Sequence, residues 1–311
     1  MMNHEVIIFY KYIHIEDPKA LMQSQRAICE RLGMRGRTII AHEGINGTYE
    51  GTTENIEEYI KDLRKDPRFT DVFIKRSPGT GHDFPKLSIK VRKEIVTLGL
   101  GAHDDIDPNE TTGTHLKPEE LKQWYDQGKD FVIVDMRNDY EFDVGQFKGS
   151  VLPSLKNFRD LKENISELES MKNKTVLTVC TFGVRCEKAS GFLKKSGFKD
   201  VYQLDGGIGT YLQKFKDNKE FAGALYTFDN RKVISFSDNR EIIGKCFFCK
   251  SPTETYTNCS NVKCNRHFLV CAACDKGDRK TRCATAQCDA TIAKPVPSLL
   301  YRLLRLSCRL P

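Results

Sequence analysis

Between residues 116 and 220 the sequence alternates short apolar segments with amphipathic ones, and this alternation limits the fold more than any other feature. The predicted strands are "FVIVD", "TVLTV" and "VYQL". The predicted helices are "KPEELKQWYDQG", "LKENISELESM", "EKASGFLKKSG" and "GGIGTYLQKF". Such alternation predicts a parallel sheet with helices on both faces. Functional groups of these sheets lie in loops at the carboxyl ends of strands, where Asp135 and Cys180 fall.

The first hundred residues have a different pattern, β-α-β-β-α-β, which predicts a ferredoxin-like α+β domain. Two of its predicted strands flank the turn-forming stretch "HEGINGT", and the last two are "DVFIKRS" and "LSIKVRKEIVTLG". The polar stretch "GAHDDIDPNETTGTH" follows. We therefore expect an α/β protein with a ferredoxin-like domain in residues 1–100, a linker in 101–115, a parallel-sheet domain in 116–226 and a separate region in 227–311.

The last region carries nine of the twelve cysteines, and eight of them are arranged in four pairs. Two pairs have the Cys-x2-Cys spacing of tetrahedral zinc sites, and they alternate with two pairs spaced by four residues. The spacing predicts two interleaved structural zinc ions, with reduced, metal-free cysteines as the alternative. The two predicted ligand sets are Cys246, Cys249, Cys271 and Cys274, and Cys259, Cys264, Cys283 and Cys288. A region with so little apolar sequence needs a staple of this kind.

Positive charge is concentrated in the same region. Residues 226–311 hold 15 Lys and Arg against 7 Asp and Glu. A basic surface favours an anionic polymer such as nucleic acid, and the alternative is a solvated basic face. The predicted phosphate contacts lie in the loop "DKGDRKTR": Lys276, Arg279, Lys280 and Arg282. The tail "SLLYRLLRLSCRLP" is a candidate basic amphipathic helix.

Several classes of protein are disfavoured. No apolar run approaches the 18 residues of a membrane-spanning helix, and the N-terminus lacks the features of a signal peptide, so we expect a cytoplasmic protein. No Gly-x-Gly-x-x-Gly follows a strand, so no dinucleotide cofactor is expected. No two-His-one-carboxylate spacing indicates a non-haem iron site. No protein partner is apparent.

The segment "VCTFGVRC" places Cys180 at the mouth of a short loop, with four residues between it and Arg185. A loop this tight turns backbone N–H groups toward the sulfur, and the helix behind it adds its positive end. Both features lower a cysteine pKa from ~8.5 into the range of ~3.5–7.5. Arg185 can bind loop carbonyls or hold an anionic substrate. The cup suits one atom added to the sulfur; the alternative is a structural cysteine.

The surrounding residues resemble a rhodanese domain over roughly residues 116–220. Asp135 and Arg137 match its Asp-x-Arg motif, and Glu141 matches its acidic partner. By this resemblance Cys180 is the sulfur that reacts. A rhodanese-type sulfurtransferase that carries persulfide on Cys180 is therefore one candidate function.

A wider resemblance covers residues from about 5 to 290. The stretches "AHEGINGT", "FPKLSIKVRKEIVTLG" and "CTFGVRCEKASGFL", followed by a cysteine-rich tail, look like the oxygen-dependent tRNA uridine hydroxylases. The resemblance implies an oxidoreductase that converts the wobble uridine of tRNA to 5-hydroxyuridine, with molecular oxygen as co-substrate and the anticodon arm as partner. It implies that Cys180 is catalytic, and we add Arg185 and Asp135 as predicted catalytic residues. Phe182 replaces a glycine of the family's loop and could narrow the cup.

Two chemical routes stay open at this point. Cys180 could add to C6 of the uracil ring and activate C5, or an oxidised sulfur could pass oxygen to the base. Cys186 could resolve an oxidised Cys180 as a disulfide, or it could be a core-facing helix residue. A zinc-containing RNA-binding module without catalysis is a third functional class, which the intact Cys180 and Arg185 disfavour.

Overall fold

The computed structural model describes residues 3–101, 104–277 and 281–290. The chain divides into two compact units after Ile243. Residues 227–243 therefore belong with the first unit, although the sequence suggested that the cysteine-rich region begins at 227. Arg231 shows why, since its guanidinium donates to Ser77 and to the Pro78 carbonyl oxygen at 2.9 and 2.8 Å. The four predicted domain ranges stay predictions.

The N-terminal part of the first unit is the expected ferredoxin-like α+β domain. Its sheet has the order β4-β1-β3-β2-β5; β1 is antiparallel to both neighbours, and the edge strand β5 runs parallel to β2. Its elements are β1 (His4–Tyr12), α1 (Pro18–Arg31), β2 (Arg35–Ala41), β3 (Gly44–Thr52), α2 (Thr53–Leu63), a 3-10 turn (Pro67–Phe69), β4 (Lys75–Gly79) and β5 (Leu87–Val91).

Two predicted details of this domain differ. Only His42 and Glu43 connect β2 to β3, so most of the predicted turn "HEGINGT" is strand. The last predicted strand ends at Val91, because Ile95 and Leu98 are buried in irregular backbone instead of alternating across a sheet.

The two faces of this sheet are distinct. Ile7, Phe9, Ile40 and Tyr49 point into a core shared with buried side chains of α1 and α2. Because side chains alternate along a strand, their neighbours point to the other face. We call that side the cavity face; it includes Tyr10, Arg37, Ile39, Asn46, Thr48 and Lys90.

The second part of the first unit contains the predicted parallel sheet, in the order β6-β10-β9-β7. The predicted helix "LKENISELESM" is α-helical only in its first turn and continues as a 3-10 helix (Ile165–Met171). The elements are β6 (Thr114–Leu116), α3 (Pro118–Asp126), β7 (Val132–Asp135), α4 (Asp139–Phe142), β8 (Gly145–Phe147), a 3-10 turn (Phe158–Asp160), α5 (Leu161–Asn164), β9 (Thr175–Val179), α6 (Val184–Lys195), β10 (Asp200–Leu204), α7 (Gly207–Lys214), β11 (Phe221–Gly223), β12 (Leu225–Tyr226) and β13 (Val233–Ile234).

The predicted linker packs against α6. The Gly113 N–H donates to the Ser190 hydroxyl at 2.7 Å, and Ile106 is buried. A side chain at Gly191 would lie 2.3 Å from the Thr111 carbonyl oxygen, so this helix position must be glycine for the segment to lie so close. The described part of the segment is therefore fixed on the helix that follows Cys180.

The second unit contains a small hairpin of β14 (Tyr256–Asn258) and β15 (His267–Leu269), and α8 (Ala286–Ala290). Its buried cluster consists of Phe268 and Val270 together with four cysteines: Cys246, Cys259, Cys283 and Cys288. Two apolar side chains are too few for a core that holds such a region by itself.

Candidate active site and candidate metal centres

Cys180 directly follows β9 and is fully buried at the start of the loop to α6. The loop closes at Gly183, whose φ of 102° is strained for any residue with a side chain. The Gly183 N–H donates to the Cys180 Sγ at 3.2 Å, and the N–H groups of Arg185 and Cys186 lie near the same sulfur and lower its pKa. Three backbone donors therefore converge on one sulfur, an arrangement that stabilises a thiolate.

The pKa of the Cys180 thiol reflects this geometry. Burial raises it, but a hydrogen bond from the Cys186 thiol, the charge of Arg185 and the backbone donors lower it more, to about 6. Burial and the Cys180 sulfur raise the pKa of Cys186 well above its usual value. Near neutral pH, Cys180 is therefore a thiolate, and Cys186 is a neutral thiol that donates to it.

Arg185 is engaged within the protein. Its guanidinium holds Glu141 by two hydrogen bonds of 2.6 and 2.8 Å and donates to the Thr181 hydroxyl at 3.0 Å. Burial raises the pKa of Glu141, but the charges of Arg185 and Arg137 hold it below its usual value. The sequence left two roles open for Arg185, binding loop carbonyls or holding an anionic substrate; in the structure its guanidinium binds Glu141 and Thr181. Its charge still supports the thiolate.

Asp135 lies below the loop at the end of β7. Its carboxylate accepts hydrogen bonds of 2.9 and 2.6 Å from Nε and Nη2 of Arg137, and both residues are fully buried. Arg137 continues to the carbonyl oxygens of Glu141 and Gly145, at 3.2 and 2.7 Å. A catalytic role for Asp135 stays a prediction. In this geometry Asp135 would act indirectly, by fixing Arg137 and with it the backbone around the Cys180 loop.

Phe182, the residue expected to narrow the cup, packs its ring toward α7. A side chain at Gly209 would lie 2.3 Å from the ring, so this glycine makes room for it. The ring joins the cluster around Ile208 on that side of the sheet.

Cys180 opens onto a cavity of about 550 Å³. One wall is the Cys180 loop, and the opposite wall is the cavity face of the N-terminal sheet. Phe228, from the segment after β12, also lines the cavity and is 41% exposed. The sequence did not predict this wall. The alternation of side chains along a strand shows which residues share a face of the sheet, but it does not show which other part of the chain packs opposite that face.

Two tyrosines hold the N-terminal sheet against the helix behind Cys180. The Tyr10 hydroxyl donates to Glu187 at 3.1 Å, and the Tyr12 hydroxyl donates to the Val184 carbonyl oxygen at 3.2 Å. A side chain at Gly183 would lie 2.7 Å from the Tyr10 hydroxyl, so this glycine is also needed for close approach.

The fully buried Lys188 of α6 adds an ion cluster with three partly exposed carboxylates to this contact. Its amine lies 2.6 Å from Glu43, 3.0 Å from Glu94 and 3.1 Å from Asp105. The three carboxylates come from the β2–β3 turn, the segment after β5 and the predicted linker. Lys188 therefore gathers three distant segments around the helix that follows the Cys180 loop.

Lys75 of β4 is a second buried lysine near the site, only 7% exposed. Its amine lies 5.2 Å from the ring centre of Tyr10 and 5.0 Å from that of Phe73. Burial lowers its pKa to about 8, against the opposing charges of Asp205, Cys180 and Glu187. Within the described residues it has no ion-pair partner. Sequence reasoning missed it, although an inward lysine in a strand is a usable signal.

The eight paired cysteines of the second unit come together in two groups, which match the sets that spacing predicts. The sulfur atoms of each group lie within 4.8 Å of one another. Three of the sulfur–sulfur distances are 3.5, 3.7 and 3.6 Å. Four thiolates about 2.3 Å from a tetrahedral zinc ion would be about 3.8 Å apart, so both groups could hold such an ion.

The predicted RNA contacts are only partly described. Lys276 and Arg282 belong to the second unit, and Arg282 pairs with Asp289. Arg279, Lys280 and the predicted tail helix lie outside the described residues. His267 stacks on Tyr256 at 4.7 Å and belongs to neither cysteine group.

A cysteine of lowered pKa in a tight loop after a central parallel strand is typical of a rhodanese-type domain, here with an α+β domain over it. Family models agree: residues 4–95 match the UPF0176 acylphosphatase-like domain, 117–214 the rhodanese-like domain and 222–290 the rhodanese C-terminal model, written "Rhodanase C-terminal". Among the described residues, no helix has the length and apolar character needed to span a membrane.

Curated relatives identify the family. A protein of Bacillus licheniformis named tRNA uridine(34) hydroxylase is 42% identical over 92% of this chain and 88% of its own length. Proteins of the same name from Bacillus pumilus and Staphylococcus aureus are 44% and 43% identical, over 86% of this chain and 83% and 85% of theirs. The chain belongs to the tRNA uridine(34) hydroxylase family.

Proposed function

We propose that this protein is an oxygen-dependent oxidoreductase that hydroxylates the wobble uridine of tRNA to 5-hydroxyuridine, with Cys180 as the catalytic residue. The observation that supports it best is a low-pKa sulfur opening onto a cavity of about 550 Å³. That volume falls within the ~300–1,000 Å³ of small-molecule sites. A wobble base is unpaired, so presenting it to the cavity costs less than extracting a base from a duplex.

The thiolate fits a nucleophilic role at the uracil ring. Addition of sulfur to C6 forms an S–C6 bond and moves the C5–C6 π electrons toward O4, which makes C5 nucleophilic. One atom of O2 then enters at C5, the other leaves as water, and a two-electron donor of the dithiol class supplies the electrons. Loss of the C5 proton and of the thiolate restores the ring. Arg185 and Asp135 support this step by fixing the loop through Glu141 and Arg137.

We further propose that the two cysteine groups each hold a structural zinc ion. The tRNA anticodon arm is the macromolecular partner, the compartment is the cytoplasm, and Lys276, Arg279, Lys280 and Arg282 contact phosphates. The sulfurtransferase alternative also uses the Cys180 loop. The relatives named tRNA uridine(34) hydroxylase do not favour it.

Nucleoside mass spectrometry of tRNA tests this function. A deletion strain grown with oxygen should lack 5-hydroxyuridine, and wild-type protein should restore it. Cys180→Ser should not restore it, whereas Cys29→Ala, which changes a buried cysteine of the N-terminal core, should. Lost thiolation instead of lost hydroxylation would point to the sulfurtransferase, and normal 5-hydroxyuridine with Cys180→Ser would refute the proposal.

A further inference from the structure

The cavity face of the N-terminal sheet carries more positive charge than the protein itself neutralises. Arg37, Lys90 and Arg92 lie on or beside this face, and Arg159 lies across the cavity; all four line it and are exposed. Within the described residues, none of the four has an ion-pair partner. Arg37 lies 5.9 Å from the Phe84 ring centre, and Arg92 donates to the Val91 carbonyl oxygen.

The two carboxylates that line the same cavity are already in ion pairs. Glu94 is held at 3.0 Å by Lys188, which it shares with Glu43 and Asp105, and Asp229 is held by Arg231 at 2.6 Å. Because the four cations named above line the cavity against these two ion-paired carboxylates, the charge left at its mouth is positive. A ligand with several regularly spaced negative charges matches this arrangement better than a small neutral molecule does.

The face between these cations suits unpaired bases. Asn46 and Thr48 offer polar groups, and the rings of Tyr10 and Phe228 border the cavity. Neither helix of its own domain covers this face, since α1 and α2 pack on the other side of the sheet. Sheet faces left open in this way bind single-stranded RNA in other folds, by stacking bases on aromatic rings while cations hold the phosphates.

We infer that the cavity face is the surface that binds the single-stranded part of the substrate RNA, with Arg37, Lys90, Arg92 and Arg159 on the phosphates that flank the target uridine. This inference rests on the proposed function and adds where the RNA lies. The N-terminal domain is thereby a direct part of the substrate site. Cys180 faces the base from one wall, and the sheet holds the strand from the other.

The test measures binding of an anticodon stem-loop RNA to the full-length, zinc-loaded protein over a range of salt concentrations. Each lost phosphate contact to single-stranded RNA lowers the log–log salt slope by about 0.7, so Arg37→Ala with Lys90→Ala should lower it by about 1.4. The matched control is Lys19→Ala with Lys61→Ala, which removes the same charge from exposed positions of α1 and α2. The control should leave the slope unchanged.

Measurements of steady-state hydroxylation distinguish a failure of this inference from a failure of the proposed function. The cavity-face variant should raise KM and keep kcat at saturating RNA. An unchanged salt slope, or an equal loss of RNA affinity in the cavity-face variant and its control, would refute the proposed binding surface. Hydroxylation by the wild-type protein would still support the proposed function. Equal binding of a fully paired duplex of the same length would overturn the single-stranded assignment. A second pair, Arg92→Ala with Arg159→Ala, should repeat the result from the other side of the cavity.

Discussion

The chain uses cysteine sulfur in two places, and it stabilises the thiolates there in opposite ways. At Cys180 the protein supplies the stabilising charge, from three backbone N–H groups, the Cys186 thiol and Arg185. In the second unit four sulfurs crowd together, and hydrogen bonds to Cys249 and Cys271 raise the pKa of Cys274 to about 12. Arg282 lowers the pKa of Cys288 to about 6, but one arginine cannot balance four adjacent thiolates, which would need a cation of higher charge. One arrangement would leave a sulfur ready to react, and the other would commit sulfur to holding the fold.

The largest expected effect follows from this dependence on a cation. Metal removal should unfold residues 246–288, because zinc binding of this kind is worth about 10–16 kcal/mol in small zinc peptides. Elemental analysis should show about two zinc ions per chain. Chelation should abolish hydrogen-exchange protection in that segment and leave the Cys180 loop protected.

Two variants sharpen this comparison. Cys264→Ser should lose one of the two zinc ions, and Cys180→Ser should keep both. A segment that stays protected without bound metal would show that the cysteine groups need no cation.

The next largest effect concerns the ion cluster around Lys188, which supports the Cys180 site without a metal ion. Lys188→Met leaves three carboxylates around an apolar side chain, and breaking a buried ion cluster by removing one partner costs about 3–5 kcal/mol. Urea unfolding followed by fluorescence of Trp124, the single tryptophan, should show this loss. Lys194→Met removes an exposed lysine from the same helix and should cost under about 1 kcal/mol. Equal stabilities of the two variants would mean that the cluster does not support the site.

Local patterns predicted most of the fold. Apolar runs predicted the strands "TVLTV" and "VYQL" and the position of Cys180 directly after the first of them. The four residues between Cys180 and Arg185 indicated the short loop. The grouping of the eight cysteines likewise follows from spacing. These are short-range signals, and the structure shows the same elements.

The second wall of the cavity could not be predicted in this way. It depends on ion pairs between Lys188 and three carboxylates that lie 83 to 145 positions earlier in the chain: Glu43, Glu94 and Asp105. Nothing in the sequence around these carboxylates indicates that Lys188 is their partner. The bidentate pair of Arg185 and Glu141 likewise joins residues 44 positions apart. Pairing of charges across a fold is decided by packing, and a single sequence does not record it.

A smaller effect concerns the thiol beside Cys180. Cys186→Ala removes a hydrogen bond to a charged sulfur, worth about 1.5–3 kcal/mol, so the pKa of Cys180 should rise by roughly one to two units. Cys186→Ser keeps a donor and should shift it less. Ultraviolet thiolate absorbance, with the Cys180→Ser signal subtracted, measures the midpoint. Hydroxylation at pH 8 should fall by no more than about threefold, since much of Cys180 is still ionised there. Lost hydroxylation at an unchanged midpoint would instead make Cys186 a redox partner.

The smallest effect comes from Lys75, whose charge acts on the thiolate without contact. A nearby positive charge favours a thiolate, so Lys75→Met should raise the pKa of Cys180, by less than about one unit because the two groups interact through their charges and not through a hydrogen bond. The amine has a pKa of about 8 and is fully charged near pH 6, where Cys180 titrates, so the whole shift should appear in the absorbance midpoint. Above pH 8 the amine loses its proton, and wild type and variant should converge. Lys75→Arg keeps the charge and should keep the midpoint. If Lys75→Met leaves the midpoint in place, the charge near Cys180 comes from the loop and Arg185 alone, and the contrast with the metal-dependent cysteines is sharper still.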